Sequence, residues 1–306
     1  MKLIDSSAEI MDTSIRPLEL IERIGRTCYK SDSSFTKDSA FKFFVNLVDR
    51  KHFAMLEHAT FVFEILGDTH SNMHRFRSCP HIQATCDSFD GHTRVLVSGN
   101  MRAIKENNLY MLMQELVREE NYPELNYYFE VSYSPHYCAP KRMVKLIKPT
   151  AKSLTKFEVS KHLYTTFRFI CDRGVSHELV RHRLASFAQE STRYCNYSKD
   201  KFGKEITCIK PEFYDSIWSA EEKSVYENSL RQSEANYFML LDSGKSPQQA
   251  RGVLPTDLKT EVIMTANDAE WNHFFSLRAD GVTGTPHPNM QSLARKALLL
   301  YNTMFV

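Results

Sequence analysis

The pattern of apolar and polar positions predicts a chain of helices joined by short strands. Helical spacing of apolar residues runs through six stretches. They are Leu18–Cys28, Ala40–Val48, Met101–Arg118, the region between Ser219 and Gly244, Asp268–Arg278 and Asn289–Met304. Four runs rich in strand formers are Thr60–Leu66, Arg94–Val97, Thr165–Cys171 and Thr260–Ala266. The sum predicts an α+β protein, with several helices around a modest sheet.

Local signals mark where some of these helices begin and end. Pro17 lies at the expected first turn of the first helix. Ser219 and Glu222 form a capping box before the longest helix, and Gly244 follows its end. Ser246 and Pro247 then begin a shorter helix that stops before Pro255. Because no low-complexity linker divides the chain, a single domain over residues 1–306 is predicted.

Composition narrows the range of partners. The 306 residues are 42% apolar, which is enough to bury a sizeable core. The net charge is only +2, so neither nucleic acid nor a membrane surface is expected as the main partner. No basic and apolar leader opens the chain, and no run of about 20 apolar residues spans a bilayer. Seven scattered cysteines without a C-x-x-C pair predict reduced thiols in the cytoplasm.

Two parts of the chain resemble each other without a gap. The recurring positions are Thr60-Phe61-x-Phe63 with Thr166-Phe167-x-Phe169, Arg75-x-Arg77 with Arg181-x-Arg183, and Gln83 with Gln189. Chance explains this as well as a duplication does, since short helix and strand patterns are easily alike. If it is a duplication, the first copy is degenerate, because Phe76 stands in place of the histidine.

The segment from Ser176 to Tyr194 carries the densest chemistry. Arg181, Arg183 and Arg193 lie close to Ser191, and Ser176 is a candidate cap for a short helix. Guanidinium groups bind phosphate in bidentate fashion, and a hydroxyl adds a neutral donor. An anion site, in particular for a phosphate ester, follows from this grouping. A solvated basic helix face paired with Glu178 and Glu190 fits the same residue types.

The spacing of this segment is similar to the signature of the flavin-dependent thymidylate synthases, the ThyX family. Arg-His-Arg, seven residues and then Ser is the pattern, here Arg181-His182-Arg183 and Ser191. The further matches are His52, Glu57-His58, His177-Glu178, Arg193-Tyr194, Ala250-Arg251-Gly-Val-Leu-Pro255, Asn267, His273 and Arg278. The resemblance covers roughly residues 15–65 and 160–280. It implies a ThyX-like central mixed sheet flanked by helices.

The resemblance also implies an activity and its cofactors. Family members bind FAD between the subunits of a homotetramer, reduce it with NADPH and use methylenetetrahydrofolate to convert dUMP to dTMP. The implied flavin residues are His52, Arg181, His182, Arg183, Asn267 and His273. The implied dUMP residues are Glu178, Arg181, Gln189, Glu190, Ser191, Arg193, Arg251 and Arg278. No metal is implied.

The chemistry of three residues fits a candidate catalytic set of Arg278, His182 and Ser191. A fixed cation at Arg278 would stabilise charge on the pyrimidine carbonyls. His182 could orient the flavin or carry a proton, because a histidine titrates near neutrality. Ser191 is expected to be a nucleotide ligand rather than a nucleophile, since no base stands beside it in the sequence.

Several of these residues have structural alternatives. His273 could be a core histidine beside Trp271. Arg278 could close its helix against the dipole, and Asn267 could be a helix N-cap. Cys195 is expected to be structural, because only Arg193 nearby would lower its pKa.

The chain departs from the family pattern in two places. About 100 residues separate Glu57-His58 from the Arg181 motif, so an insertion at about 66–160 is expected. Residues Thr283 to Met290 replace a helix start with prolines. The expected insertion contains a group that could bind a metal or be ordinary loop residues. Its members are His70, His74, Cys79, His81, Cys86 and His92.

Two other classes of function stay open from the sequence. One is a non-catalytic nucleotide- or flavin-binding homologue whose expected insertion has altered the site. The other is a nucleic-acid-binding module that uses the Arg181 region, which the weak net charge and the lack of an aromatic-basic stripe disfavour.

Overall fold

A computed structural model describes residues 1–30, 36, 38–66, 70–89, 92–118, 121–131 and 144–305. The helices are α1 (Pro17–Tyr29), α2 (Ser39–Asp49), α3 (His70–Arg77), α4 (Met101–Glu106), α5 (Tyr110–Leu116), α6 (Asn126–Phe129), α7 (Lys156–His162), α8 (Arg173–Leu179), α9 (Ala220–Asp242), α10 (Pro247–Ala250), α11 (Asp268–Phe275) and α12 (Pro288–Asn302). The strands are β1 (Lys2–Ile4), β2 (Ser7–Ile10), β3 (Thr60–Leu66), β4 (Ile82–Phe89), β5 (His92–Asn100), β6 (Val144–Ile147), β7 (Tyr164–Asp172), β8 (Ser186–Gln189), β9 (Thr207–Ile209) and β10 (Lys259–Asn267). The α+β class is confirmed.

One four-stranded sheet has the order β2-β7-β10-β8, and all of its pairs are antiparallel. Its two long central strands, β7 and β10, pair along their whole length, from Lys259 with Asp172 to Asn267 with Tyr164. Apolar residues of α11 and α12, among them Trp271 and Leu293, cover one face. This sheet positions the predicted motif, since β8 follows the Arg181 segment directly.

A second four-stranded sheet has the order β4-β5-β3-β6 and is also antiparallel throughout. It has a core of its own, in which Phe63 and Val97 pack against Leu112 and Tyr128. A short parallel pair, β1 with β9, makes a third layer beside α9. Among the described helices, none is long and apolar enough to cross a membrane.

The expected insertion at about 66–160 is not a separate appendage. Its described strands β4, β5 and β6 pair with β3 and with each other, so they complete the second sheet. The prediction of one central mixed sheet is therefore wrong, because the described strands divide into two four-stranded antiparallel sheets and a separate parallel pair. The long strand β10 lies in one of them and β5 in the other, and each builds its own hydrophobic core.

Two predicted helices have different bounds from those expected. The stretch Met101–Arg118 is broken into α4 and α5, and Asn108 between them takes a left-handed backbone conformation with φ 53°. The stretch Asp268–Arg278 ends as a regular helix at Phe275 and continues as a π-helical turn, Ser276–Asp280. Such turns often occur at functional sites, and this one contains Arg278.

Candidate functional site

The Arg-His-Arg motif lies in a turn rather than on a helix. Asp172 caps α8 by accepting a hydrogen bond from the Val175 amide at 2.6 Å. The predicted cap, Ser176, is instead buried inside α8. The helix ends at Leu179, so Arg181 and His182 follow it in the turn that leads to β8. Because the turn is outside regular structure, its side chains can point toward other elements.

Three predicted site residues from different elements meet at Arg278. Its Nη1 donates to Glu178 Oε2 at 2.7 Å, and its Nε donates to His182 Nε2 at 3.2 Å. Glu178 belongs to α8, His182 to the turn and Arg278 to the π-helical turn, which is 100 positions beyond Glu178. The ring of Phe274 packs edge-on against His182, with 5.0 Å between ring centroids. We name Glu178, His182 and Arg278 the arginine cluster.

His182 is neutral at physiological pH. Burial lowers the pKa of His182 to about 4, and the charges of Arg278 and His273 act in the same direction. The prediction of a histidine titrating near neutrality is therefore wrong, because a second positive charge is disfavoured beside Arg278. Since Nε2 accepts the hydrogen bond from Arg278, the proton of the neutral ring is on Nδ1.

A second group of predicted residues lies at the other end of β8. Gln189 Nε2 donates to Ser176 Oγ at 2.9 Å. Glu190 is only 2% exposed, and its carboxylate accepts from Lys259 Nζ at 2.7 Å. The carboxylate of Glu190 therefore points into a buried charge network and away from solvent, which leaves it poorly placed to bind a substrate.

Ser191, Arg193 and Arg251 lie beyond this end of the sheet. The Arg193 amide donates to Ser191 Oγ at 3.3 Å, and Arg193 Nε donates to Gln248 Oε1 at 2.9 Å. Arg251 follows Gln248 by one short helical turn and is exposed. Arg193 and Arg251 are therefore both exposed, and each has a contact with Gln248 or lies near it in the chain.

A cavity of about 420 Å³ lies between the two four-stranded sheets. Predicted flavin residues Arg183 and Asn267 line it from one side, and Arg102 and Glu57 line it from the other. Asn267 also caps α11, because its side chain accepts from the Glu270 amide at 3.1 Å. The cap interpretation of Asn267 is correct and does not remove it from the cavity.

Three further predicted flavin residues are at the surface. His273 is exposed, so a core position for it is wrong. Arg181 is exposed, and its side chain has no hydrogen bond or ion pair to the part of the chain that the structure describes. His52 borders a separate groove of about 380 Å³, next to Phe53 and Met55. Arg102 lines both this groove and the cavity, so the two are neighbours.

Two histidines are buried, of which the sequence analysis named His58 only as a family match and did not name His162. His58 Nδ1 is hydrogen-bonded to Thr265 Oγ1 at 2.8 Å, and His162 Nδ1 to Ser98 Oγ at 2.8 Å. Each is 1% exposed. Burial lowers the pKa of both rings to about 4. Both histidines stand two residues before a strand rich in Thr and Phe, which was the available signal.

These two histidines predict a loss of stability in mild acid. Their folded-state pKa of about 4 lies below the ordinary value of 6.5, so between these limits only the unfolded chain binds the proton. Each histidine should therefore make the free energy of unfolding fall by about 1 kcal/mol per pH unit as the pH drops from 6.5 towards 4. Urea unfolding from pH 7 to 5 measures this slope.

Substitution isolates the contribution of one ring. His162→Gln should reduce the slope by about 1 kcal/mol per pH unit, whatever its effect on total stability at pH 7. The exposed His177 offers the control, His177→Gln, which should leave the slope as in the unsubstituted chain. An unchanged slope in His162→Gln would show that the ring is protonated in the folded protein.

The structure describes the buried Cys195 and some of the possible metal ligands. Cys195 is buried, and burial raises the pKa of its thiol to about 12, as expected for a structural cysteine. Within the described ranges, no three acidic, histidine or cysteine side chains cluster as a metal site. The side chains of His70, His74 and His92 lie outside the described residues.

The fold and site define an α+β protein in which Glu178, His182 and Arg278 meet in the arginine cluster, and in which Arg183 of the same motif lines a cavity. The model of the Thy1 family, described as thymidylate synthase complementing protein, matches residues 123–303, which is more than half of the chain. The chain therefore belongs to the Thy1 family.

Curated relatives support this membership over a shorter stretch. A flavin-dependent thymidylate synthase from Geobacter sulfurreducens is 37% identical over 129 residues, 41% of this chain and 52% of that protein. Proteins of the same name from Saccharolobus solfataricus and Pyrococcus furiosus are 36% and 34% identical, over 44% and 47% of their lengths. The chain thus spans about half the length of the curated relatives it matches.

A solved structure is similar in outline only. The UMP/dUMP methylase PolB from Streptomyces cacaoi, bound with 5-Br dUMP, aligns over 99% of this chain and 93% of that chain. The TM-score is 0.43 and the sequence identity 14%. A likeness of this strength carries no argument about the site.

Proposed function

We propose that this chain is a flavin-dependent thymidylate synthase, which methylates dUMP to dTMP with methylenetetrahydrofolate and FAD that NADPH reduces. The observation that carries the proposal is the arginine cluster. Glu178, His182 and Arg278 come from three elements, and their hydrogen bonds hold one guanidinium beside a neutral imidazole. Family membership and the names of the curated relatives support the same activity.

The cavity and its neighbouring groove fit a flavin nucleotide. The cavity volume of about 420 Å³ is in the range of small-molecule sites. Its lining combines guanidinium groups, which suit phosphates, with carboxylates such as Glu57 and Glu270, which accept from sugar hydroxyls. In the proposal Arg183, Asn267 and His52 hold FAD, with Arg181, His182 and His273 towards its ring. Bound flavin would supply the hydride chemistry.

The chain's own residues would polarise and orient dUMP. Arg278 would stabilise negative charge on a pyrimidine carbonyl, which makes C5 more nucleophilic. Glu178 fixes the guanidinium by a 2.7 Å hydrogen bond, so little reorganisation is needed when charge develops. His182, neutral and with its proton on Nδ1, would orient a ligand rather than act as a cation. Ser191, Arg193 and Arg251 would hold the 5′-phosphate.

Colour and turnover test the proposed function. The purified chain should be yellow, or become so when FAD is added. With NADPH and methylenetetrahydrofolate it should release tritium from C5-labelled dUMP. A chain that binds FAD and dUMP but releases no tritium would point to the non-catalytic homologue, and a chain that binds neither would overturn the proposal.

Arg193 provides a test of the phosphate site. Arg193→Ala should weaken dUMP binding by about 2 kcal/mol, the loss expected for a hydrogen bond to a charged group. Lys199→Ala is the matched control, because Lys199 is an exposed cation six positions away. Isothermal titration with dUMP measures both. Equal affinity of Arg193→Ala and the unsubstituted chain would remove Arg193 from the site.

The proposal extends to the cellular setting and the assembly of the chain. We propose a reducing cytoplasmic location, which agrees with free thiols at the six described cysteines, for example Cys28 and Cys208. A homotetramer is proposed from the family resemblance. Sedimentation of the purified chain would measure it.

A further inference from the structure

The two four-stranded sheets are built alike. The orders β4-β5-β3-β6 and β8-β10-β7-β2 are the same when β3 is matched with β7 and β5 with β10. Thr60 pairs with Asn100 at the end of β5, and Tyr164 pairs with Asn267 at the end of β10. Asn100 and Asn267 each cap the next helix through the side-chain oxygen. Three strands and the capped helix after them thus recur in the chain, whereas the fourth strand follows them in one sheet (β6) and precedes them in the other (β2).

Strand pairing also corrects the sequence alignment of the two copies. The ungapped alignment matches Thr60 with Thr166, whereas the shared register matches Thr60 with Tyr164, two positions earlier. A shift of two keeps every side chain on the same face of its strand, so the apolar pattern conceals it. In the shifted match, His58 of the first copy corresponds to His162 of the second.

The two copies contact each other reciprocally. His58 of the first copy bonds Thr265 of the second, and His162 of the second bonds Ser98 of the first. Ser98 and Thr265 occupy matching positions, two residues before Asn100 and Asn267. Such an exchange, in which each partner gives the same residue to the other, is the mark of a two-fold interface.

The cavity lies on this internal two-fold. Matching residues of both copies line it, including Thr60 with Tyr164 and Asn100 with Asn267. Its charged residues, however, do not match. Arg183 corresponds to Pro80, because Gln83 pairs with Ser98 as Ser186 pairs with Thr265.

Arg102 is the reverse case, because here the arginine is in the first copy and the uncharged counterpart is in the second. It stands two residues after Asn100, and the second copy has Ala269 two residues after Asn267. Arg183 and Arg102 therefore each lack a matching arginine in the other copy. With matching arginines, the two-fold cavity could hold two equivalent anion sites. The two sides of the cavity therefore carry different cations, Arg102 from the first copy and Arg183 from the second.

Arg102 forms two ion pairs, one of which a bound anion could replace. Its Nη1 donates to Glu57 at 2.8 Å and its Nε to Glu106 at 2.7 Å. The side chains of Arg102 and Glu106 are 37% and 53% exposed, and ion pairs this exposed contribute little stability. A phosphate could replace Glu106 at small cost. Arg183 has no ion pair or hydrogen bond from its side chain within the described ranges.

We propose that the first half of the chain is a diverged copy that serves as a built-in partner, and that Arg102 is its contribution to the flavin site. This rests on the proposed flavin-dependent function. Arg102 borders both the cavity, which contains Arg183 and Asn267, and the groove with His52. The residues of both would together hold one FAD per chain, with Arg102 binding a phosphate group.

FAD titration of the flavin-free protein, followed by quenching of flavin fluorescence, tests this proposal. The unsubstituted chain should bind one FAD. Arg102→Ala should weaken binding about tenfold or more, as the loss of a charged hydrogen bond predicts, and Arg102→Lys should restore part of it. Arg75→Ala is the matched control, since Arg75 is an exposed arginine of the same half that does not line the cavity.

A second variant gives an independent result in case Arg102→Ala fails to fold. Gln83→Trp should also impair FAD binding, because Gln83 lines the cavity from the first half. Tight binding in both Arg102→Ala and Gln83→Trp, or two FAD per chain, would overturn the built-in partner while leaving the proposed function intact. No FAD binding by the unsubstituted chain would overturn the proposed function and this inference with it.

Discussion

Replacing Arg278 with alanine should reduce the rate of tritium release from dUMP by about 100-fold to 1000-fold, the loss typical of one preorganised electrostatic group. The guanidinium is held by Glu178 and next to His182, so it is fixed before any ligand binds. Steady-state measurement of kcat and KM for dUMP checks this. The loss should fall mainly on kcat, because the charge acts most strongly where negative charge develops.

Arg295 supplies the control for this substitution. Its Nε donates to the Ala279 carbonyl at 3.3 Å, so it contacts the same π-helical turn without joining the arginine cluster. Arg295→Ala should change kcat by less than about threefold, within the range of ordinary surface substitutions.

A spectroscopic readout separates charge loss from misfolding. The Arg278 charge helps to lower the pKa of His182, so Arg278→Ala should raise that pKa. Titration of the histidine signals by NMR would show it. Normal kcat together with a raised His182 pKa would mean that Arg278 shapes the cluster but does not serve the reaction.

Replacing Lys259 with alanine should destabilise the folded chain by about 3 kcal/mol. Lys259 Nζ lies 2.7 Å from Glu190 and 2.8 Å from Glu261, and these carboxylates have only 2% and 5% of their side-chain surface exposed. Burial works against ionisation, yet Lys259 and Lys30 together lower the pKa of Glu261 to about 2. Without Lys259, the ion-pair partner that Glu190 keeps among the described residues is Lys30, at 3.9 Å.

The magnitude follows from removing one member of a buried pair, which leaves a charge without compensation. Urea unfolding at pH 7 measures it. Arg231→Ala, which breaks the exposed pair with Glu227, should cost only about 0.3–0.5 kcal/mol. Adding Glu190→Gln to Lys259→Ala should recover part of the stability. Similar losses in Lys259→Ala and Arg231→Ala would contradict a buried network.

The predicted elements agree best where local patterns are strong. Strand β3 has the predicted bounds, α1 extends one residue beyond each predicted end, and α9 lies between Ser219 and Gly244 as predicted. Capping residues and strand-forming runs act over a few positions, so they can be read along the chain. Short strands such as β6 and β8 were missed, because four residues give too little periodicity.

The site residues also divide into those that local sequence patterns identify and those that they do not. Spacing in the sequence identified Arg181, His182, Arg183 and Ser191 and, with the family resemblance, Arg278. It gave no signal for Arg102, whose role depends on β5 lying across the cavity from the Arg183 turn. It also placed Glu190 among ligand residues, although Lys259 draws its carboxylate into the interior.

The sequence by itself determined the α+β class, the Arg-His-Arg spacing and the family resemblance, since each resides in residues near one another or in a fixed pattern. Only the tertiary structure decided that the described strands within residues 66–160 complete a second sheet, that Glu178, His182 and Arg278 meet, and that residues of both four-stranded sheets line one cavity. These contacts join residues 100 positions apart, as Glu178 and Arg278 are, or 207 apart, as His58 and Thr265 are. They depend on strand register and turn geometry, and a register shift of two residues leaves the apolar pattern of a strand unchanged.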